Sequence, residues 1–279
     1  MPLNVKNSRT RLWWIVAGIG LVAAGCGDNI QQEPSRLDDI PLPCTAEVAT
    51  YRIDHADPAT ALAQKIDLDG DGYPDDGLGR AHDFLAAFAP EFAVSERFDD
   101  HLHRDLTWLI TIARCGDDIR VTVDTLPELE PVHLAGPRAV GHVTGDRFEA
   151  YDGTGRLPLR ALADAANASP DPGWRLGDAL TIHATITDDR IEGVFALALP
   201  TETVRADLAA PIADFLTAQP VDNSLRVATD FDHDGTVTAV EVTATSAYQS
   251  ITSSDLTLVI DDQPQTSVAF RFTAKRIQD

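Results

Sequence analysis

The sequence predicts an α+β fold: antiparallel β-hairpins form a sheet or sandwich, helices pack on it, and an acidic loop leads into a helix near the C-terminus. Three patterns predict it. Paired short runs rich in β-branched and aromatic residues flank acidic turn signals, as hairpins require. Two longer stretches place their apolar residues at helical spacing instead. In the last quarter an aspartate-rich loop precedes a further helical pattern.

Residues 48–53 read as a first short strand. Over residues 79–103, Phe84, Leu85, Phe88, Phe92, Val94 and Phe98 supply a helical face. Pro90 divides that stretch into two helices, because proline lacks an amide donor and clashes with the preceding turn. The period then shortens to two: residues 106–113 and 119–123 form a hairpin about Gly116 and Asp117. A second hairpin joins residues 180–186 to 191–197 through Thr187, Asp188 and Asp189, and a third joins 256–260 to 267–273. Between these two, Val204, Leu208, Ile212, Phe215 and Leu216 mark a helix over 201–218 with Thr201 as its N-cap. Residues 151–175, crowded with Gly, Pro and Asp, read as a long surface excursion, and no solenoid repeat is visible.

The N-terminus carries a compartment signal. Lys6, Arg9 and Arg11 precede an apolar stretch over residues 12–25, shorter than the roughly 20 residues needed to cross a bilayer. It runs through Val22, Ala23, Ala24 and Gly25 into Cys26. This resembles a lipobox, the export signal of bacterial lipoproteins, with Ala23 where leucine is commonest. The resemblance implies cleavage before Cys26 and attachment of that cysteine, through lipid, to a membrane of the bacterial cell envelope. The outer membrane is the expected one, on its periplasmic or its surface face. An ordinary cleaved signal with an incidental cysteine is the alternative. Residues 1–25 are then a signal peptide and 26–43 a polar tether. Residues 44–221 form an α+β domain with a first Asp-rich loop, and 222–279 supply the acidic loop, helix and last hairpin packed on the same domain.

Removing residues 1–25 takes away three of the 22 basic residues and none of the 44 acidic ones, leaving a formal charge of −25. Such a chain repels nucleic-acid phosphates and attracts divalent cations. With Cys26 lipidated, Cys44 and Cys115 remain, an even pair in an oxidising compartment. A disulfide between them is expected, with two buried thiols as the alternative. Closing a loop of about 70 residues contributes roughly 4 kcal/mol in the chain-entropy model.

Residues 230–241 carry the most specific pattern. Asp230, Asp232 and Asp234 aim alternate carboxylates inward, and Gly235 allows a sharp reversal. Thr236 offers a carbonyl, Thr238 can hold a water, and Glu241 can close the sphere with both oxygens. Calcium takes six to eight oxygens at about 2.3–2.6 Å, and this spacing wraps them around one point. The segment resembles an EF-hand loop over about a dozen residues. Val237 fits its apolar eighth position, and Val240, Ala244, Ala247, Tyr248 and Ile251 fall at the spacing of an exiting helix. The entering side is weak, because Pro220 limits it. An Asp-rich turn held by its own hydrogen bonds, without metal, is the alternative.

A second loop, residues 67–78, begins in the same way with Asp67, Asp69, Asp71 and Gly72, followed by the Tyr73 carbonyl and Asp75. It departs at Pro74, in the eighth position, and at Leu78, in the twelfth, which cannot coordinate; Asp76 is a possible substitute. This loop is similar to the calcium loops of dockerin and thrombospondin type-3 repeats, with a solvated acidic turn as the alternative. The whole arrangement also resembles a group of lipoproteins abundant in myxobacterial-type genomes. They combine a lipobox, a segment like residues 67–72 followed by Leu78 and Gly79, hairpins, a late acidic loop, and a final strand like that bearing Phe270, Phe272 and Ala274. That resemblance spans most of the mature chain and brings no biochemical role with it.

Other motifs fail. His103, Arg104, Asp105 and Leu106 match a kinase catalytic loop in letters, but Ile110 stands where that loop needs a metal-binding asparagine. His101 and His103 beside Asp99 and Asp100 offer a transition-metal pattern that more often belongs to a solvated helix end. No metalloprotease, serine-hydrolase or P-loop motif is present. With Met1 as the sole methionine, a calcium sensor with a Met-rich groove is not expected. The expectation is a non-enzymatic lipoprotein that binds calcium structurally. A calcium-dependent surface module for a glycan or protein partner, with Trp174 and Tyr73 as contact candidates, is the second reading. The third is a hydrolase whose site assembles only in three dimensions.

Overall fold

Side chains alternate across a β-strand, so a sheet that buries one face must curl, stack or be covered. Here it curls until its edges meet. The computed structural model describes residues 46–60, 65–104, 107–125, 139–159, 174–187 and 189–277. Its strands are β1 (Glu47–Pro58), β2 (Trp108–Cys115), β3 (Asp118–Thr125), β4 (Ala139–Thr144), β5 (Arg147–Pro158), β6 (Trp174–Ile186), β7 (Arg190–Pro200), β8 (Val259–Ile260) and β9 (Gln263–Arg276). From β1 to β7 each strand pairs antiparallel with the next, and β9 pairs with both β7 and β1. Eight strands therefore close into an up-and-down barrel, and β8 adds a two-residue hairpin partner to β9.

An eight-stranded barrel is just wide enough for side chains to fill. Trp108, Ile110, Phe148, Phe195, Phe270 and Phe272 are fully buried. Trp108 stands edge-on to Phe195 and Phe270, with ring centroids 5.2 and 5.7 Å apart, and its ring N–H donates to the Arg156 carbonyl. The opposite face of the wall is charged: Arg271 pairs with Asp57 at 2.7 Å and Lys275 with Asp54 at 3.2 Å. An apolar inside with a charged outside is the reverse of a lipid-facing barrel. Among the described residues no helix is long and apolar enough to cross a membrane.

Antiparallel order places the tight turns at Gly116 and Gly145, both with positive φ, at one end of the barrel. Both helix-bearing connections leave from the other. The first holds α1 (Gly77–Phe88), a 3-10 turn (Pro90–Phe92) and α2 (Val94–Arg104); the second holds α3 (Thr201–Ala218), α4 (Ser224–Thr229), α5 (Ala239–Ala244) and α6 (Ser246–Ile251). In α2, Val94, Phe98 and Leu102 repeat every four residues and are buried, and Phe98 meets Phe270 edge-on at 5.0 Å. Phe92 meets Phe215 of α3 at 5.3 Å. The helices thus continue the barrel's core. The α3 helix is tied to β6 by Arg175, which grips buried Asp207 through two bonds of 2.5 and 2.8 Å.

The α+β class, the division at Pro90 and the first two hairpins are as the sequence predicts. Several details differ. Residues 151–158 continue β5 instead of opening an excursion. Gly155 sits where an added Cβ would lie 2.9 Å from Leu197 Cδ2, so glycine here marks a crowded barrel wall. The β4–β5 hairpin was not expected, and the third hairpin keeps only Val259–Ile260 of its first arm. Thr201 does not cap α3: Pro200 occupies that position, and the Thr201 hydroxyl lies 2.9 Å from that of Thr266. The exiting helix after residue 241 breaks at Thr245, whose extended backbone ends α5 and whose hydroxyl caps α6. Within residues 222–279, β9 is a stave of the barrel itself. Cys115 is disulfide-bonded; Cys44 and Cys26 lie outside the described residues, as do the signal and tether segments.

Candidate metal centres

Two loops gather acidic side chains, and different parts of the fold hold each. Loop 230–241 lies between α4 and α5. Asn223 starts α4 by accepting the amides of Leu225 and Arg226, and that helix runs into Asp230, whose N–H donates to the Arg226 carbonyl at 2.9 Å. The chain then reverses through His233 and Gly235, both at positive φ. Asp230 Oδ2 accepts the Gly235 amide at 3.0 Å, Asp232 the Asp234 amide at 3.2 Å, and Asp234 the Thr236 amide at 2.7 Å. Glu241 returns to the start of the loop: one oxygen accepts the Phe231 amide at 2.8 Å, the other the Thr238 amide at 2.8 Å and the Thr238 hydroxyl at 2.9 Å. Backbone and hydroxyl bonds from Thr238 hold its carboxyl below the usual glutamate range.

The result brings carboxylate oxygens of Asp230, Asp232 and Glu241 within 4.8 Å of one another. Asp234 stays outside that group, and Thr238 spends its side chain on a capping box with Glu241. Asp230 is only 8% exposed, and its Oδ1 is buried with no hydrogen-bond partner among the described residues. A buried carboxyl oxygen without a partner is costly in a protein interior, where such groups are paired or bind metal. A divalent cation among these three carboxylates would supply the missing partner.

Two contacts from outside the loop fix its shape. The Thr217 hydroxyl on α3 accepts the Val237 amide at 2.9 Å and donates to the Val237 carbonyl at 3.1 Å. The Arg226 guanidinium donates to the carbonyls of Gly235 and Gln219. No local spacing announces Thr217, which lies on another element.

Loop 67–76 rests on the outer barrel wall, where Ile66 joins Ala59, Ala196 and Ala269 in a small apolar cluster. Asp67, Asp69 and Asp71 come together as expected. Asp67 accepts the amides of Gly70 and Gly72 at 2.7 and 2.9 Å, Asp69 that of Asp71 at 3.2 Å, and Asp71 that of Tyr73 at 2.8 Å. Asp69 also accepts the amide and hydroxyl of Thr257 at 2.6 and 2.8 Å. Although burial opposes it, these bonds hold the Asp69 carboxyl below its ordinary range.

The second half of this loop does not close over the acids. Asp75, 6% exposed, turns inward to accept the Leu68 amide at 2.6 Å. Its burial and the charges of Asp69, Asp255 and Asp67 push its carboxyl up to about 7. Asp76 is committed to Lys65 at 2.5 Å, and Leu78 is buried in α1. Asp255, which the sequence did not single out, accepts the Asp76 amide at 2.9 Å and the Ser267 amide and hydroxyl at 2.9 and 2.6 Å, tying the loop's end to β9. Tyr73 is 75% exposed. The side chains of Trp174, His101 and His103 lie outside the described residues.

A third cluster joins a histidine to two carboxylates. His55 Nδ1 lies 2.9 Å from Asp99 and Nε2 2.7 Å from Asp57, while Ser95 hydrogen-bonds Asp57. Burial opposes charge on the imidazole, but the two carboxylates outweigh it and raise its pKa. Each ring nitrogen thus faces a carboxylate, and the cluster joins β1 to α2.

The chain matches no protein-family model, no curated protein and no solved structure.

Proposed function

We propose that this is a lipid-anchored bacterial envelope protein that binds calcium structurally and is not an enzyme, with the ion held in loop 230–241. The observation that carries the reading is the buried Oδ1 of Asp230, without a partner among the described residues, beside Asp232 and Glu241. Calcium cancels the repulsion among these carboxylates and fixes α4 and α5 against α3, and so stiffens the helical cap of the barrel. Loop 67–78 is the weaker site, because Asp75, its ninth residue, is taken by the Leu68 amide and Leu78, its twelfth, is buried in α1. Extracellular modules bind calcium at about 0.1–1 mM, so ambient ion fills such a site without signalling. The lipid on Cys26 places the domain at the membrane.

Thermal melts of the purified chain in chelator and in millimolar calcium test this. A higher melting temperature with calcium is expected, and coincident melts would sink the metal reading. A second reading, a calcium-dependent module for a glycan or protein partner, is favoured by the exposed ring of Tyr73 beside the first acidic cluster. Glycan or protein capture that EDTA abolishes and Tyr73→Ala weakens would support it.

A further inference from the structure

We propose that Thr217 is a positioning residue for the calcium loop: from the last turn of α3, its hydroxyl holds residues 230–241 in the ion-ready shape before an ion arrives. This rests on the calcium reading of that loop and names the residue that sets its affinity.

Three carboxylates within 4.8 Å repel one another. A loop left to itself would relieve that repulsion by splaying, and an incoming ion would spend binding free energy on regathering it. Val237 is where splaying can be stopped. It follows the reversal at Gly235, precedes the Thr238 cap that orients Glu241, and is buried. Both of its backbone groups bind the single Thr217 hydroxyl, one as donor and one as acceptor. That arrangement pins the chain in position and direction at once. The pin is firm because α3 is itself fixed to the barrel at Asp207, held by Arg175, and to α6 by the Tyr248 hydroxyl, which donates to the Arg205 carbonyl.

Valine at 217 has threonine's shape but neither donates nor accepts, so Val237 loses both partners and the loop turns outward to find water. Serine keeps the hydroxyl. Calcium titration by calorimetry of the full chain in detergent, for the native protein, Thr217→Val and Thr217→Ser, separates the outcomes. The expected result is an unchanged stoichiometry, a dissociation constant about tenfold higher in Thr217→Val (~1.4 kcal/mol), and one within about twofold of native in Thr217→Ser. A residue that merely supported the fold would lower the melting temperature and leave the dissociation constant alone. Native affinity in Thr217→Val therefore overturns the role of Thr217 while the calcium reading stands. An absence of calcium heat in the native protein overturns the calcium reading first. Should Thr217→Val fail to fold, hydrogen exchange of the native chain in chelator decides. The Val237 amide is expected to be strongly protected, and exchange at the unfolded-chain rate would overturn the proposal.

Discussion

The two acidic loops are nearly identical in their first halves and opposite in their second. Asp67 binds the Gly72 amide at 2.9 Å, as Asp230 binds that of Gly235 at 3.0 Å. Asp69 and Asp232 each accept the amide two residues on at 3.2 Å, and Asp71 and Asp234 do the same at 2.8 and 2.7 Å. The Asp-x-Asp-x-Asp-Gly start therefore specifies a turn, which the side chains stabilise with the backbone's own amides. What makes one turn a candidate site is its far end. Glu241 comes back over the acids and Asp230 Oδ1 has no partner among the described residues, whereas Leu78 enters the core and Asp75 turns inward.

The sharpest way to break this contrast is to give the first loop the missing acid. If only the twelfth residue were lacking, Leu78→Glu would create a calcium site. Because Leu78 is 2% exposed at the start of α1, the expected outcome is instead a loss of about 3 kcal/mol or more, from the lost apolar burial and an unpaired buried charge. A denaturant melt measures it. A folded variant with an added calcium site would mean that the two loops differ by one side chain and not by their setting.

The next largest effect is on the ion itself. At calcium ten times the dissociation constant, binding stabilises the native state by about 1.4 kcal/mol, or a rise of roughly 3–6 °C for a domain of this size. Asp230→Asn is expected to abolish most of that rise, and Asp67→Asn to leave most of it in place. Equal losses in the two variants would make the loops equivalent sites.

These differences also mark how far the sequence could be read. The helical faces around Phe84–Phe98 and Val204–Leu216 and the hairpins at Gly116 and Thr187 were legible, because period and turn chemistry are local. Closure of the barrel was not. It depends on β9 pairing with β1 across more than two hundred residues, and no run of residues encodes that pairing. The acids of both loops were legible as ligand types. Their fates were decided by Thr217, Asp255 and Thr257, which act across elements and have no fixed spacing from the loops.

A smaller effect tests what holds the first loop in the absence of ion. Asp69→Ala removes the two bonds from Thr257 and is expected to cost about 1 kcal/mol, equally in chelator and in calcium. A cost confined to calcium would mean that Asp69 is a ligand at ambient concentrations, and that the first loop is itself an occupied site.

The smallest effect supplies a baseline free of either loop. His55 sits between Asp57 and Asp99 and joins β1 to α2, and neither carboxylate belongs to a metal cluster. Its folded pKa lies above the ordinary 6.5, so folding favours the imidazolium. That contribution is complete below about pH 6.5 and fades as pH rises through the folded value. The ring is about one-third exposed, and solvent screening keeps the contribution under about 1 kcal/mol. The stability gap between the native chain and His55→Gln is therefore expected to be widest near pH 6 and to close on the alkaline side, by the same amount with calcium as with chelator. The calcium effect should show no such closure in this range, since His55 lies outside the carboxylate cluster of residues 230–241. If calcium changed the His55 gap, the ion would be acting through the β1–α2 contact, and the contrast between the loops would no longer account for where calcium stabilises the fold.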